Sequence, residues 1–231
     1  MIFGNLYSKI KSNMYSIFFS EKNPVSTIHG YYNILSNLPE NSNILDVGCG
    51  DGIYFTSDKV INLIKDKQFN ITCIDIDNGA LNICNDRLIK AALSNLVKCS
   101  NTDFNDISQK YDYVLFMESF PVIPMVMFSD FIKHAISITN NEILMYHNLT
   151  HSENKFLSII KPKIKYLTMI DFGRLTTIKE MDDFLNENIS NLFDINLNIS
   201  CKYSDISYLN IPFFKDEVIE QYLIQIYIDK F

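Results

Sequence analysis

Asn43-Ile44-Leu45-Asp46-Val47-Gly48-Cys49-Gly50-Asp51-Gly52 is the most informative run of this chain. Its first five residues, mostly apolar, predict a short buried strand, and glycines then occupy alternate positions. Without Cβ atoms the backbone can turn tightly there and come close to a ligand. Residues 53–66 follow, with Ile53, Val60, Ile61 and Ile64 spaced for a helix packed on a sheet. Such a helix would turn free N–H groups and the positive end of its dipole toward an anionic group. A G-x-G-x-x-G dinucleotide motif needs a third glycine where Ile53 stands, and no Gly-Lys-Ser/Thr of a P-loop follows. The residues argue against both.

Beyond the glycines, strand and helix signals alternate. Ile71-Thr72-Cys73-Ile74-Asp75 predicts a second buried strand, and a helix from about Gly79 to Ala92 puts Leu81, Cys84, Leu88 and Ala91 on one stripe. Leu96 to Cys99, Tyr111 to Phe116 and Glu142 to Tyr146 predict three more strands, with a helix from Met125 to Ile138 before the last. Strands separated by helices of this length imply βαβ crossovers and a parallel sheet covered on both faces. Farther on, Thr177-Ile178-Lys179-Glu180 fits a capping box opening a helix to about Glu187. Phe193, Ile195, Leu197, Ile199, Cys201 and Tyr203 alternate with polar residues, as in a strand with one wet face at or near a sheet edge. Gln221 to Ile228 suits its antiparallel partner. With no internal repeat or low-complexity linker, the chain reads as one doubly wound α/β domain over residues 41–231, preceded by a helical extension over residues 1–40.

Composition removes several classes. The 231 residues are 47% hydrophobic and 20% charged, which excludes a disordered chain, a collagen-like repeat and a small disulfide scaffold. Net charge is −7, so a broad basic face for duplex nucleic acid is not the default reading. Cys49, Cys73, Cys84, Cys99 and Cys201 are odd in number, scattered and free of zinc-ligand spacing, so no metal site is expected. They suit a reduced, cytoplasmic protein. No apolar run reaches the roughly 18 to 20 residues of a transmembrane segment. In residues 1–20, Phe3, Leu6, Tyr7, Ile10, Met14, Ile17 and Phe18 recur at helical spacing, interrupted by Lys9 and Lys11. That is an amphipathic helix rather than a signal peptide; it would pack on the domain, close over a site or lie on a membrane surface.

Ile44-Leu45-Asp46-Val47-Gly48-Cys49-Gly50-Asp51-Gly52 resembles the first motif of the class I S-adenosylmethionine-dependent methyltransferases, an acid followed by glycines at alternate positions. Three further places match in order: the acid in Cys73-Ile74-Asp75-Ile76-Asp77, the turn Asn101-Thr102-Asp103-Phe104, and the fourth strand Tyr111-Asp112-Tyr113-Val114-Leu115-Phe116. The resemblance covers about residues 25–148, then Arg174-Leu175-Thr176-Thr177 with a helix and two strands. It implies a mostly parallel, seven-stranded Rossmann-like sheet with an antiparallel C-terminal strand, and S-adenosylmethionine as cofactor. It also implies a cofactor site made of Asp46, Gly48, Cys49, Gly50, Gly52, Asp75, Ile76, Asp103 and Phe104. In the family the first acid, here Asp46, sits near the methionine ammonium, and Asp75 would bind both ribose hydroxyls. Asp103 would face the adenine amino group, while Phe104 would flank the ring or enter the core. Asp77 is the neighbouring candidate for a helix cap.

Methyl transfer asks little of side chains beyond holding the acceptor in line, with a base only where the acceptor proton has a high pKa. Acceptor residues belong beyond the carboxyl ends of strands four and five. That selects Glu118 and His147 as catalytic candidates, each with a structural or orienting role as the alternative. His29, Tyr31, Tyr32 and His151 rank second. An acceptor-side insertion spans about residues 150–175, and Lys161, Lys163 and Lys165 within it are a solvated face or a phosphate contact. Glu118-Ser119-Phe120-Pro121 differs from the Asn/Asp-Pro-Pro-Tyr/Phe of nucleic-acid amine methyltransferases, and the Lys-Asp-Lys-Glu and Pro-Cys patterns are absent. A small-molecule acceptor, methylated at O or N, is therefore favoured over nucleic acid, with protein or lipid headgroup behind it. An inactive cofactor-binding partner subunit and an aminopropyl transferase are the competing functions.

Overall fold

The computed structural model describes residues 24–119, 125–151, 199–208 and 218–228. In chain order these form α1 (Pro24–Asn37), β1 (Asn43–Val47), a 3₁₀ turn (Ile53–Thr56), α2 (Asp58–Lys67), β2 (Asn70–Ile74) and α3 (Asn78–Lys90). Then come β3 (Val97–Ser100), a second 3₁₀ turn (Phe104–Asp106), β4 (Tyr111–Met117), α4 (Met125–Ile138), β5 (Thr139–His151), β6 (Ile199–Tyr208) and β7 (Val218–Tyr227). One sheet joins the strands in the order β3-β2-β1-β4-β5-β7-β6. The pairs from β3 to β5 are parallel, and β7 runs antiparallel to both β5 and β6.

The sheet is covered on both faces, and strand periodicity sorts the residues between them. Ile44, Ile71, Cys73, Tyr113, Leu115, Leu144 and Tyr146 join one core with Leu35 of α1, Val60 and Ile64 of α2, and Leu81, Cys84 and Leu88 of α3. Their neighbours Leu45, Ile74, Val114, Phe116, Ile143 and Met145 join the other core with Ile132, Ala135 and Ile138 of α4. The central strands are therefore apolar on both sides, as parallel strands between helical layers must be.

Several elements differ from the sequence reading for identifiable reasons. The helix expected over 53–66 is divided: the 3₁₀ turn ends at Ser57, whose backbone is extended (φ −92°, ψ 122°), and α2 starts only at Asp58. The dipole of α2 therefore begins six residues after Gly52 rather than at the glycine turn. β5 runs well past Tyr146 because β7 pairs along it from Glu142↔Tyr227 to His151↔Val218. α1 packs directly in the first core, and Lys67 caps its end by donating to the carbonyls of Ser36 (2.7 Å) and Leu38 (2.6 Å). The segment 1–20, most of the 150–175 insertion with its three lysines, and the helix opened by Thr177 lie outside the described residues. Among the described residues no helix is long and apolar enough to cross a membrane.

Candidate functional site

Sheet order reverses between β1 and β4, so the chain leaves their carboxyl ends in diverging directions and opens a crevice there. The glycine turn rims it. Gly48 (φ +72°) takes a left-handed conformation, and its N–H and that of Cys49 donate to the Ile74 carbonyl at 2.8 and 3.2 Å. A Cβ on Gly48 would stand 2.6 Å from the Ser119 Cβ. Its absence lets Ser119 close in and donate its hydroxyl to the Val47 carbonyl at 2.6 Å, tying the end of β4 to the end of β1. Gly50 (φ +56°) differs, because a Cβ there would meet nothing within 4 Å. Its backbone faces open space.

Asp75 follows β2 and is held from two sides. Its Oδ2 accepts the Gly50 N–H at 2.9 Å, and its Oδ1 accepts the Asp77 N–H at 2.9 Å. The Asp75 carbonyl accepts from the Asn101 side-chain amide at 3.0 Å. Each carboxylate oxygen retains a further lone pair, so this half-buried group can take two more donors without moving. Beside it Ile76 is 76% exposed, an unusual position for a large apolar side chain. Asp77 caps α3, accepting from the N–H groups of Gly79 and Ala80.

Asp46 lies in β1, one residue before its end. It is fully buried, accepts a hydrogen bond from the Tyr54 hydroxyl, and its Oδ1 has no hydrogen-bond partner. Burial lifts its carboxyl from 3.8 to about 7, against the hydrogen bond from Tyr54, which works the other way. Tyr31 stacks on Tyr54 (centroids 3.8 Å apart, planes 11° from parallel), and its buried hydroxyl likewise lacks a partner. The Tyr31 hydroxyl also acts to lower the Asp46 carboxyl, as the Tyr54 hydroxyl does. Burial pushes both phenols well above their ordinary range.

Asp103 is exposed and caps the second 3₁₀ turn, its Oδ1 accepting from the backbone and side-chain N–H groups of Asn105, both at 2.9 Å. Phe104 enters the core rather than standing open to a ligand: it is buried against Phe116, Phe131 and His134. Glu118 adopts φ +59° directly after β4, and its N–H donates to the Tyr146 carbonyl at 2.9 Å. It thereby stands one residue from His147, which pairs in register with Tyr222 and whose side chain lies outside the described residues. His29 is exposed and Tyr32 half-buried on α1. Tyr54 went unsignalled in the sequence, since a tyrosine eight positions after an acid fits no spacing rule. The three neighbours Gly50, Asp75 and Ile76 are brought together on one rim; Asp46 lies beneath it and Phe104 within the core.

Among curated protein sequences no match is found. Solved structures share the fold at low identity. Magnesium protoporphyrin IX methyltransferase from Synechocystis PCC 6803 with bound SAH is 16% identical with a TM-score of 0.54, over 88% of this chain and 83% of that one. An SAM-dependent methyltransferase from Thiobacillus denitrificans in complex with S-adenosyl-L-homocysteine is 12% identical with a TM-score of 0.57, over 94% and 97%. Geranyl diphosphate C-methyltransferase from Streptomyces coelicolor A3(2) is 10% identical with a TM-score of 0.55, over 88% and 78%. These likenesses concern the fold. The family is shown by the sequence itself: residues 31–205, well over half of the chain, match the family model described as mycolic acid cyclopropane synthetase, and the protein thus belongs to that family of S-adenosylmethionine-dependent methyltransferases.

Proposed function

We propose that the rim formed by the glycine turn and Asp75 holds S-adenosylmethionine, and that the methyl acceptor is a small molecule reacting at O or N beyond the ends of β4 and β5. One observation carries the cofactor assignment: the Asp75 carboxylate is pinned by the N–H groups of Gly50 and Asp77 with acceptor capacity left over. A rigid carboxylate beside an open backbone face at Gly50 is what a ribose diol needs, because two hydroxyls can donate to one ionised group. Exposed Ile76 offers an apolar face for the adenine, and Asp103 an acceptor for its amino group. Gly50, where a Cβ would meet nothing within 4 Å, leaves room for the methionine portion, and Gly48, Cys49 and Gly52 shape the turn around it. The orphaned Oδ1 of Asp46 supplies negative potential beneath it when ionised, acting through the turn rather than by direct contact. Phe104 supports this wall from within the core.

Bound S-adenosylmethionine supplies an already activated methyl group. What remains for the chain is to position the acceptor and, where its proton is held tightly, to remove it. Glu118 suits that task. Among the described residues, four non-glycine ones have positive φ; Asn41, Gln68 and Ala92 lie in turns or at helix ends, whereas Glu118 lies at a strand end beside the crevice. Strained backbone of this kind is retained where geometry matters to function. His147, on the adjacent strand, is the second candidate for the same role. Several similar folds carry names with small acceptors, among them geranyl diphosphate and magnesium protoporphyrin IX, which supports the acceptor class.

Calorimetric titration with S-adenosylhomocysteine tests the cofactor site. Asp75→Ala should weaken binding by about 1.5–3 kcal/mol, the range for hydrogen bonds to a charged group; unchanged affinity removes the assignment. Product analysis after incubation with S-adenosylmethionine and a metabolite set tests the reaction. S-adenosylhomocysteine with a methylated small molecule is expected. Methylthioadenosine would indicate aminopropyl transfer, and no product would indicate a binding subunit.

A further inference from the structure

We infer that Cys84 and Cys99 form a redox-responsive dithiol beneath the glycine turn, and that closing it to a disulfide weakens cofactor binding. Cys84 lies on the buried face of α3 and Cys99 on β3, with their Sγ atoms 3.2 Å apart. That is closer than two sulfurs ordinarily approach without bonding, and each need move only about half the remaining distance to reach a disulfide length of about 2.05 Å. Cys73 stands beside Cys99 in the parallel register of β2 and β3, and Cys49 occupies the glycine turn itself, so four free thiols gather in one place.

Their exposure differs. Cys49, Cys73 and Cys84 are buried, whereas Cys99 is partly open and is the sulfur an oxidant reaches. The neighbouring thiols of Cys49, Cys73 and Cys84 lower the Cys99 thiol from its ordinary range, favouring its reactive thiolate. The cluster does not suit a metal. Sulfurs around a tetrahedral zinc would be about 3.8 Å apart given Zn–S bonds of about 2.3 Å. Among the described residues no group of three or more His, Cys, Asp or Glu is arranged to hold an ion.

With a peroxide as oxidant, the Cys99 thiolate attacks one peroxide oxygen, forming the sulfenic acid and releasing hydroxide. The Cys84 sulfur then attacks the Cys99 sulfur, the S–O bond breaks, and the oxygen leaves as water with the Cys84 proton. Two thiols lose two electrons and two protons, and hydrogen peroxide becomes two waters. The movement bears on the glycine turn because Cys84 Sγ supports it from below: a Cβ on Gly52 would lie 2.5 Å from that sulfur. One turn along the same helix, Arg87 grips Asp51 through both its carbonyl (2.6 Å) and its carboxylate (2.8 Å). Drawing Cys84 toward β3 shifts both supports at once.

The effect on affinity rests on the cofactor assignment above; formation of the disulfide does not. The experiment treats the full-length protein with hydrogen peroxide, maps disulfides by peptide mass spectrometry, and titrates reduced and oxidised samples with S-adenosylhomocysteine. A peptide pair joined through Cys84 and Cys99 is expected. Affinity should fall by about tenfold on oxidation, within the usual range of coupling between linked sites, and recover with dithiothreitol. Cys99→Ser, or Cys99→Ala should the serine fold poorly, should keep its affinity through peroxide treatment. Oxidised protein without that crosslink, a crosslink with unchanged affinity, or stoichiometric metal in the purified protein overturns the proposal. Reduced protein that binds no S-adenosylhomocysteine would instead refute the cofactor site, with the crosslink still scored on its own.

Discussion

Asp46 carries the sharpest consequence at the scale of single residues. It is an acid with no exposure, one hydrogen bond from Tyr54 and one unpartnered oxygen, and burial raises its carboxyl to about 7. The unfolded chain releases this proton near 3.8 while the native state keeps it to about 7, so between those values the native state binds more protons. Its stability contribution is complete below 3.8 and is lost as pH rises through about 7. Asp46→Asn keeps an acceptor for Tyr54 and carries no charge. In urea denaturation the variant should match the wild type near pH 4 and exceed it at pH 8 by up to about 4 kcal/mol. A wild type that gains on the variant as pH rises would contradict the burial account. Sequence reading marked Asp46 as an acid at a ligand-binding turn; its depth depends on Tyr31 and Tyr54 stacking over it, which no local pattern records.

At the scale of elements, the contact of α1 with β5 decides how the N-terminal part of the described chain is seated. A Cβ on Gly30 would lie 2.4 Å from ring atoms of Tyr146, and that ring is buried and cannot swing aside. The helix therefore reaches the sheet only because residue 30 has no side chain. Gly30→Ala should destabilise the fold by about 1–3 kcal/mol, the usual cost of overpacking, despite alanine's better helix propensity. Thermal denaturation checks this, and an unchanged or higher Tm would mean that α1 sits less closely. The divided helix after the glycines has the same kind of cause. Its apolar spacing is correct for a sheet-facing helix, but extended Ser57 restarts it at Asp58, and Tyr54 and Phe55 turn inward from the short first piece.

For the whole molecule, strand order places the crevice. β1 and β4 are sheet neighbours although β2, β3 and two helices separate them in the chain, and this brings Gly48 against Ser119, while the pairing of β1 with β2 brings Gly50 against Asp75. A ligand gripping groups from β1, β2 and β3 together should stabilise the entire domain, because it binds the native state alone. S-adenosylhomocysteine at about a hundred times its dissociation constant should add about 2.7 kcal/mol, read as a rise in Tm that Asp75→Ala largely abolishes at the same ligand concentration. The same assay, with a metabolite set added on top of S-adenosylhomocysteine, reports acceptors by a further rise.

Read alone, the chain determined what depends on neighbours a few positions apart. The alternation of strands and helices from Asn43 to Tyr146, the glycine turn at 48–52, the acid after β2 and the Asp77 cap all follow from side-chain periodicity, Cβ sterics and local hydrogen bonding. The family match over residues 31–205 is of a piece with that legibility. Tertiary structure decided the depth of Asp46, the core position of Phe104, the left-handed Glu118 beside Tyr146 and the meeting of four dispersed cysteines. Each of those depends on which strands pair and in what register, and pairing is settled by burial summed over the whole sheet rather than by any short stretch of residues.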